Sequence, residues 1–153
     1  TDAAAPENGG ETLACSDMHY GHMENLIKPG IGTGMSDGWE TKRRRGPGHD
    51  WVILKLGLPC IVERIVVDTY HFKGNFPDSC SIEGCVEPDR DLEAILINTI
   101  DWLELLPDSK LSGNQENIFS IASNQTEAPT HIRFNIYPDG GVSRLRIIGR
   151  PVP

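Results

Sequence analysis

Short apolar or alternating runs follow one another along the whole chain, separated by segments rich in turn-forming residues. Most of these runs are rich in Val, Ile, Thr and aromatic residues and have the length of ordinary strands. They are "TLACSD", "WVILKLG", "VERIVVDTY", "SCSIEGCV", "DWLELLP", "NIFSIA", "THIRFNIY" and "VSRLRIIG". This succession of strand-like runs predicts an all-β fold, either a sandwich or a barrel.

Two runs near the end of the chain alternate apolar and polar residues most regularly. In "HIRFNIY", Ile132, Phe134 and Ile136 alternate with polar side chains, and "SRLRIIG" repeats the pattern. A period of two indicates strands with one buried and one polar face. The intervening "PDGG" offers the positive φ angles of a tight reversal, so we predict a closing hairpin here.

One stretch, "DRDLEAILINTIDWLELL", fits two patterns. Its first apolar residues have helical spacing, whereas its end resembles a strand. A short helix or an ordered insertion near residues 89–98, followed by a strand at 101–106, satisfies both patterns.

The length of 153 residues is enough for one domain with a buried core and too short for two ordinary domains. The first eleven residues, which lack an apolar signal core, are expected to form a linker or a disordered terminus. A single domain is expected over residues 12–150. The 16 glycines and 11 prolines indicate many turns, which favours a β-rich fold.

The net charge of −8 argues against broad nucleic-acid binding, which needs a basic surface. No window approaches the roughly 18 to 20 apolar residues of a membrane span, so no membrane partner is expected. The four cysteines contain no CxxC pair, and a chain of this size does not need disulfides. We therefore expect free thiols in a cytoplasmic protein, with a peroxisomal location as the alternative.

The segment "DGWETKRRRGPGHDW", residues 37–51, concentrates candidate chemistry between two tryptophans that can anchor it. Arg43 and Arg44 can each hold a carboxylate through two parallel hydrogen bonds. If the basic run around them does not neutralise a small anion, it is a solvated loop. His49 and Asp50 form a proton-transfer couple if they share a cavity, and ordinary surface if they do not.

A second run, "DTYHFKGNFPDS", places His71 and Asn75 in a loop at the end of an apolar strand, where functional sites are common. His19 and His22 in "HYGH" have a spacing that suits a metal ion, but the sequence assigns no third ligand. A divalent metal ion is therefore only a candidate cofactor.

Three long stretches of the sequence together resemble the allantoicase family: "MSDGWETKRRRGPGHDW", "DTYHFKGNFPDSCSIEGC" and "THIRFNIYPDGGVSRLRIIG". The similarity spans nearly the whole chain, in the family's order. It implies a jelly-roll β-sandwich of the discoidin or galactose-binding type. Allantoicases usually carry two such repeats in tandem, whereas this chain holds one, and its "CSDMHYGHMENLIKPG" opening is more similar to the second repeat.

The resemblance implies hydrolysis of allantoate to ureidoglycolate and urea, a step of purine degradation. Allantoate is an anion with two ureido arms on one carbon. Its site needs a guanidinium for the carboxylate, amide-like groups for the arms, and acid–base groups. The candidate catalytic residues are Glu40, His49, Asp50 and His71. The candidate substrate-binding residues are Arg43, Arg44, Asn75, Asp139 and Arg144.

Two structural alternatives accompany these assignments. Glu40 is spaced to pair with Lys42, and Asp139 and Arg144 either complete a polar cavity or brace the hairpin. Because the loops of a sandwich cluster at its ends, we expect at least two of residues 37–50, residues 71–78 and the "PDGG" turn to share one face.

The competing hypothesis is a non-catalytic, galactose-binding-like repeat that serves as a binding or assembly module, because fold alone does not establish catalysis. For the enzyme, the expected partners are a small ureide substrate and either a second repeat or further copies in a homo-oligomer.

Overall fold

The computed structural model describes residues 1–89, 91–97, 100–122 and 125–153. The strands are β1 (Glu11–Cys15), β2 (Trp39–Glu40), β3 (Asp50–Lys55), β4 (Cys60–Asp68), β5 (Ser79–Cys85), β6 (Leu103–Lys110), β7 (Glu116–Ser120), β8 (His131–Tyr137), β9 (Gly141–Val142) and β10 (Arg144–Pro151). The α-helix is α1 (Leu92–Ile97), and 3-10 turns occur at Pro6–Asn8, Met23–Ile27 and Met35–Asp37. The all-β prediction is confirmed.

The strands form two main antiparallel sheets that pack as a jelly-roll sandwich. One sheet has five strands in the order β1-β3-β8-β5-β6, and the other has three in the order β10-β4-β7. A short two-stranded sheet pairs β2 with β9, matching Glu40 with Gly141. The small sheet lies where the candidate chemistry of the sequence is concentrated.

The core lies between the two main sheets and follows the alternation seen in the sequence. Ile132, Phe134 and Ile136 of β8 are fully buried, as are Leu145 and Ile147 of β10. All five belong to one continuous apolar cluster. Burying each of these side chains contributes about 1.5–3 kcal/mol, so this cluster holds the two sheets together.

The predicted closing hairpin is wrong. β8 pairs with β3 and β5, whereas β10 pairs with β4 in the other sheet. The "PDGG" segment therefore crosses between sheets and forms β9 on the way. Alternation shows which face of a strand is buried, but it does not identify the strand's partner.

The helical pattern of "DLEAILI" is confirmed by α1, whose Ile95 packs against Ile53 and Cys85 of the five-stranded sheet. The following strand is longer than predicted and begins two residues later, at Leu103. Residue 98, at the end of the predicted insertion, lies outside the described residues.

The first eleven residues belong to the sandwich, which corrects the expectation of a linker or a disordered terminus. Ala3 and Ala4 are fully buried, and the Ala3 N–H donates to the Ile147 carbonyl over 2.9 Å. The Asp2 carboxylate accepts from the Ile147 N–H at 3.1 Å. The small alanines pack beside β10, the edge strand of the three-stranded sheet. Three consecutive alanines show no helical or strand periodicity, so the sequence did not predict this packing.

The four cysteines form no disulfide. Cys60, Cys80 and Cys85 are buried, and burial raises the pKa of the Cys80 and Cys85 thiols to about 12. Within the described part of the chain, no helix has the length and apolar character that a membrane crossing needs.

We predict that the denatured chain, without reductant, releases four equivalents of chromophore from a thiol-specific disulfide reagent. In the native protein, half-buried Cys15 should react first, because the other three thiols are buried and inaccessible to the reagent. A denatured titre of two thiols would contradict the assignment of free cysteines.

We predict that Gly141→Ala destabilises the fold by about 1–3 kcal/mol, measured by urea denaturation. A Cβ at residue 141 would overlap the ring of fully buried Phe72. Gly34→Ala is the matched control, because a Cβ there meets nothing within 4 Å. The control should stay within about 0.5 kcal/mol of wild type, and equal effects of the two changes would contradict the packing argument.

Candidate active site

Three segments that are far apart in the sequence line one surface cleft of ≈ 550 Å³, here called the Glu40 cleft. Its lining comprises Glu40, Thr41, Arg43 and Arg44 from the first segment, Gly74, Asn75, Phe76 and Asp78 from the second, Pro138, Asp139 and Gly140 from the third, and Tyr20. The prediction that these loops share one face is therefore confirmed.

Backbone contacts hold the three segments together. Thr41 is 3% exposed, and its N–H donates to the Gly140 carbonyl over 3.0 Å while its hydroxyl accepts from the Gly140 N–H at 3.0 Å. The Gly141 N–H donates to the Asn75 carbonyl over 2.8 Å. Gly140 has φ +127, and a Cβ there would lie 2.5 Å from the Asn75 oxygen. Glycine is therefore required where the third segment approaches the second.

Glu40 is held by an amide from the second segment. Asn75 Nδ2 donates to Glu40 Oε2 over 2.7 Å, and Glu40 is half-buried. Lys42 is not its partner, so the salt-bridge alternative for Glu40 is not seen in the described residues. The contact orients one carboxylate oxygen, and the other oxygen makes no hydrogen bond with any residue that the structure describes.

The two arginines have different surroundings. Arg44 donates from Nη1 to Asp50 Oδ1 over 2.9 Å, and its backbone N–H donates to Asp139 Oδ2 over 2.8 Å. Arg43 is exposed and makes no hydrogen bond or ion pair with any residue that the structure describes. Of the two, Arg43 is therefore the guanidinium that is available to an anion.

Arg44 and Asp50 form an incomplete ion pair. Asp50 is fully buried and also accepts from the Ser16 hydroxyl at 2.8 Å, but within the described ranges its Oδ2 and the Arg44 Nε have no hydrogen-bond partner. Gly48, at φ +112, leaves room for the Arg44 guanidinium, since a Cβ there would lie 2.8 Å from Nη2.

A second cleft shares the two arginines with the Glu40 cleft. Its volume is ≈ 580 Å³, and it is called the basic cleft here. It is lined by Ser16, Asp17, Lys42, Arg43, Arg44, Arg45, Gly46, Pro47 and Asp50. Arg43 and Arg44 line both clefts, so the two clefts adjoin. The other residues of the Glu40 cleft include acids and an amide, whereas those of the basic cleft are mainly cationic.

His49 and Asp50 do not form the expected proton-transfer couple. His49 Nε2 lies 3.0 Å from Asn135 Oδ1, and its ring centroid is 4.8 Å from that of Tyr137. Asp50 instead pairs with Arg44 beside the basic cleft. Successive residues entering a strand point to opposite sides, so adjacency in the sequence separates these two side chains.

His71 and Arg144 are also outside the Glu40 cleft. His71 Nε2 lies 2.7 Å from the Gly32 carbonyl oxygen, to which it donates. Arg144 is 2% exposed, pairs with Asp37 at 2.9 Å and donates to the carbonyls of Asp37 and Gly30. Hydrogen bonds from Arg144, and then from the Thr33 N–H and Lys28, lower the pKa of Asp37. These contacts brace the loop before β2. Arg144 therefore does not line the Glu40 cleft, and the hairpin that it was expected to brace does not form.

The histidines considered for a metal ion have other contacts. His22 Nδ1 accepts from the Glu24 N–H at 3.2 Å, and the His19 ring packs edge-on against Tyr20 at 4.6 Å. Within the described ranges, no group of three or more His, Cys, Asp or Glu side chains is arranged to hold a metal ion. A divalent metal ion therefore stays a prediction without an assigned ligand set.

Sequence reasoning missed Tyr20 and Thr41 and did not select Asp78. Tyr20 is 63% exposed, and its backbone N–H donates to the Glu40 carbonyl over 3.1 Å. This long-range pairing brings Tyr20 to the cleft and leaves no local signal. Asp78 lies three residues after Asn75, in the same run of polar residues. Its position in a Pro-containing loop was the signal that could have identified it as a candidate site residue.

Comparisons with known proteins agree with the fold and the motifs. The family model described as "Allantoicase repeat" matches residues 1–152. A protein named "Probable allantoicase" from Pseudomonas aeruginosa is 54% identical over 150 residues, covering 98% of this chain and 45% of that protein. The crystal structure of allantoicase from Saccharomyces cerevisiae is 41% identical with a TM-score of 0.84, covering 98% of this chain and 43% of the other.

A more distant similarity concerns the fold alone. A carbohydrate-binding module of a family 31 glycoside hydrolase from Clostridium perfringens has a TM-score of 0.67 at 12% identity, with 97% of this chain and 96% of that chain covered. The chain spans about half the length of the curated relatives it matches. Because the family model matches nearly every residue, this chain belongs to the allantoicase family.

Proposed function

We propose that the Glu40 cleft hydrolyses allantoate to ureidoglycolate and urea. The observation that carries this proposal is the unpaired Arg43 beside a Glu40 carboxylate that Asn75 orients, in a cleft built from three separate family motifs. The names of the relatives support the same substrate. A cation for the carboxylate and a fixed acid–base group are two of the three requirements of this reaction, the third being polar groups for the ureido arms.

Substrate binding rests on Arg43. Its planar guanidinium can donate two parallel hydrogen bonds to the allantoate carboxylate, each charge-assisted bond contributing about 1.5–3 kcal/mol. The ureido arms carry N–H donors and carbonyl acceptors. Asp78, Asp139 and the Tyr20 hydroxyl supply complementary groups around the same cleft. Asp139 also positions Arg44 through the backbone N–H of that residue.

Glu40 moves the proton. In the proposed reaction, Glu40 accepts a proton from water, and the hydroxyl bonds to the central carbon of allantoate. The bond between that carbon and one ureido nitrogen breaks, and Glu40 returns the proton to the departing nitrogen. The products are ureidoglycolate and urea, so atoms and charge balance. Asn75 holds Glu40 in a single orientation throughout.

The alternative is a non-catalytic binding or assembly repeat, because a fold by itself does not establish catalysis. The two functions differ in one measurement, the release of urea from allantoate by the chain, with and without added divalent metal. Allantoate binding without urea release would favour the binding module. We still predict that the partner is a second repeat or further copies in a homo-oligomer. We also still predict a cytoplasmic or peroxisomal location.

We predict that Arg43→Lys lowers kcat/KM for allantoate by roughly 10- to 100-fold, because a point charge loses one of two charge-assisted hydrogen bonds. Steady-state urea release measures this loss. Arg150→Lys is the matched control, since Arg150 is exposed near the end of β10 and its guanidinium lies 4.0 Å from the exposed Glu63 carboxylate. Unchanged kinetics in Arg43→Lys would remove Arg43 from the site.

We predict that Glu40→Gln lowers kcat by roughly 10²- to 10⁴-fold and leaves allantoate affinity nearly unchanged. A glutamine can still accept from Asn75 but cannot take the proton from water. Calorimetric binding and single-turnover urea release separate the two effects. Glu63→Gln, at another exposed carboxylate, is the control. Parallel losses of binding and turnover would contradict the proton-transfer role.

A further inference from the structure

The basic cleft holds more positive charge than its surroundings neutralise. Lys42, Arg43 and Arg45 are exposed, and among the described residues their side chains form no ion pair or hydrogen bond. Arg44 is the one member of the run with an acidic partner, Asp50. Consecutive cations repel one another, so a loop that keeps three of them unpaired loses stability unless an anion is present.

The acids of the basic cleft are already engaged. Asp17 Oδ2 accepts from the backbone N–H groups of His19 at 3.1 Å and Lys42 at 2.9 Å, which ties the loop to β1's end. Asp50 is bound by Arg44 and Ser16. The cleft is therefore lined by four cations and only two acids. This local excess of positive charge contrasts with the net charge of −8 on the whole chain. Such a local positive field concentrates small anions there.

We propose that the basic cleft is a second anion-binding site, distinct from the Glu40 cleft, that takes a small oxyanion of the phosphate class. A tetrahedral oxyanion presents several acceptor oxygens, and these match the ammonium of Lys42 and the guanidinium forks of Arg43 and Arg45. Arg44 serves as a positioning residue, because its bond to buried Asp50 fixes the loop from which the other cations project.

Arg43 couples the two clefts. Because it lines both spaces, an anion bound in the basic cleft draws its guanidinium away from the Glu40 cleft. This coupling rests on the proposed function, whereas the second site itself does not. We therefore expect phosphate to weaken allantoate binding and allantoate to weaken phosphate binding by the same factor.

Calorimetric titration of the full chain with inorganic phosphate, in a buffer of low ionic strength, tests the second site. Arg45→Gln and Lys42→Gln should each weaken phosphate binding roughly fivefold, the effect of removing one exposed charge contact. Glu40→Gln, in the other cleft, and Arg150→Gln, on a distant surface, should bind phosphate as wild type does. Raising the salt concentration should weaken phosphate binding further, because these charges are exposed.

The same variants, titrated with allantoate, separate this inference from the proposed function. Arg45→Gln should keep wild-type allantoate affinity and turnover, whereas Arg43→Gln should weaken both ligands. Equal phosphate affinity in wild type and Arg45→Gln would overturn the second site. A matching loss of allantoate affinity in Arg45→Gln would also overturn it, by placing the substrate carboxylate in the basic cleft. Absence of urea release with these phosphate effects intact would overturn only the proposed function.

Discussion

The candidate site depends on the close backbone approach of three segments around Gly140 and Gly141. Thr41, Asn75 and Phe72 contact these glycines directly, and a side chain at residue 140 or 141 would collide with the neighbouring backbone or ring. The pairing of β2 with β9 then sets Glu40 beside Asn75. Because backbone hydrogen bonds hold the three segments of the cleft together, its polar side chains are not needed for that purpose and can face solvent.

Arg43 and Arg44 line both clefts, and the two clefts differ in their other charged residues. The Glu40 cleft has the carboxylates of Glu40, Asp78 and Asp139, whereas the basic cleft has Lys42 and Arg45 together with Asp17 and Asp50. The buried carboxylate of Asp50 fixes the Arg44 guanidinium at 2.9 Å. Within the described ranges, Asp50 Oδ2 and Arg44 Nε have no hydrogen-bond partner, so this ion pair is only partly satisfied.

Much of the architecture could be predicted from local patterns. The alternation of Ile132, Phe134 and Ile136 identifies a strand with one buried face, because side chains on a strand have a period of two. The same alternation could not identify partners, and the predicted hairpin between β8 and β10 was wrong for that reason. The buried alanines near the N-terminus were missed because small residues pack without producing a periodic pattern.

Local sequence patterns were sufficient to predict the fold class, and the long motifs were sufficient to identify the family resemblance and the three loops that line the Glu40 cleft. Among the candidate polar residues, Glu40, Asn75 and Asp139 line that cleft with the two arginines, while His49, His71 and Arg144 make contacts elsewhere. Only the tertiary structure distinguished Arg43 from Arg44, because that distinction depends on the buried Asp50 that Arg44 contacts. Motifs are set by nearest neighbours in the chain, whereas the availability of a side chain depends on contacts between distant segments.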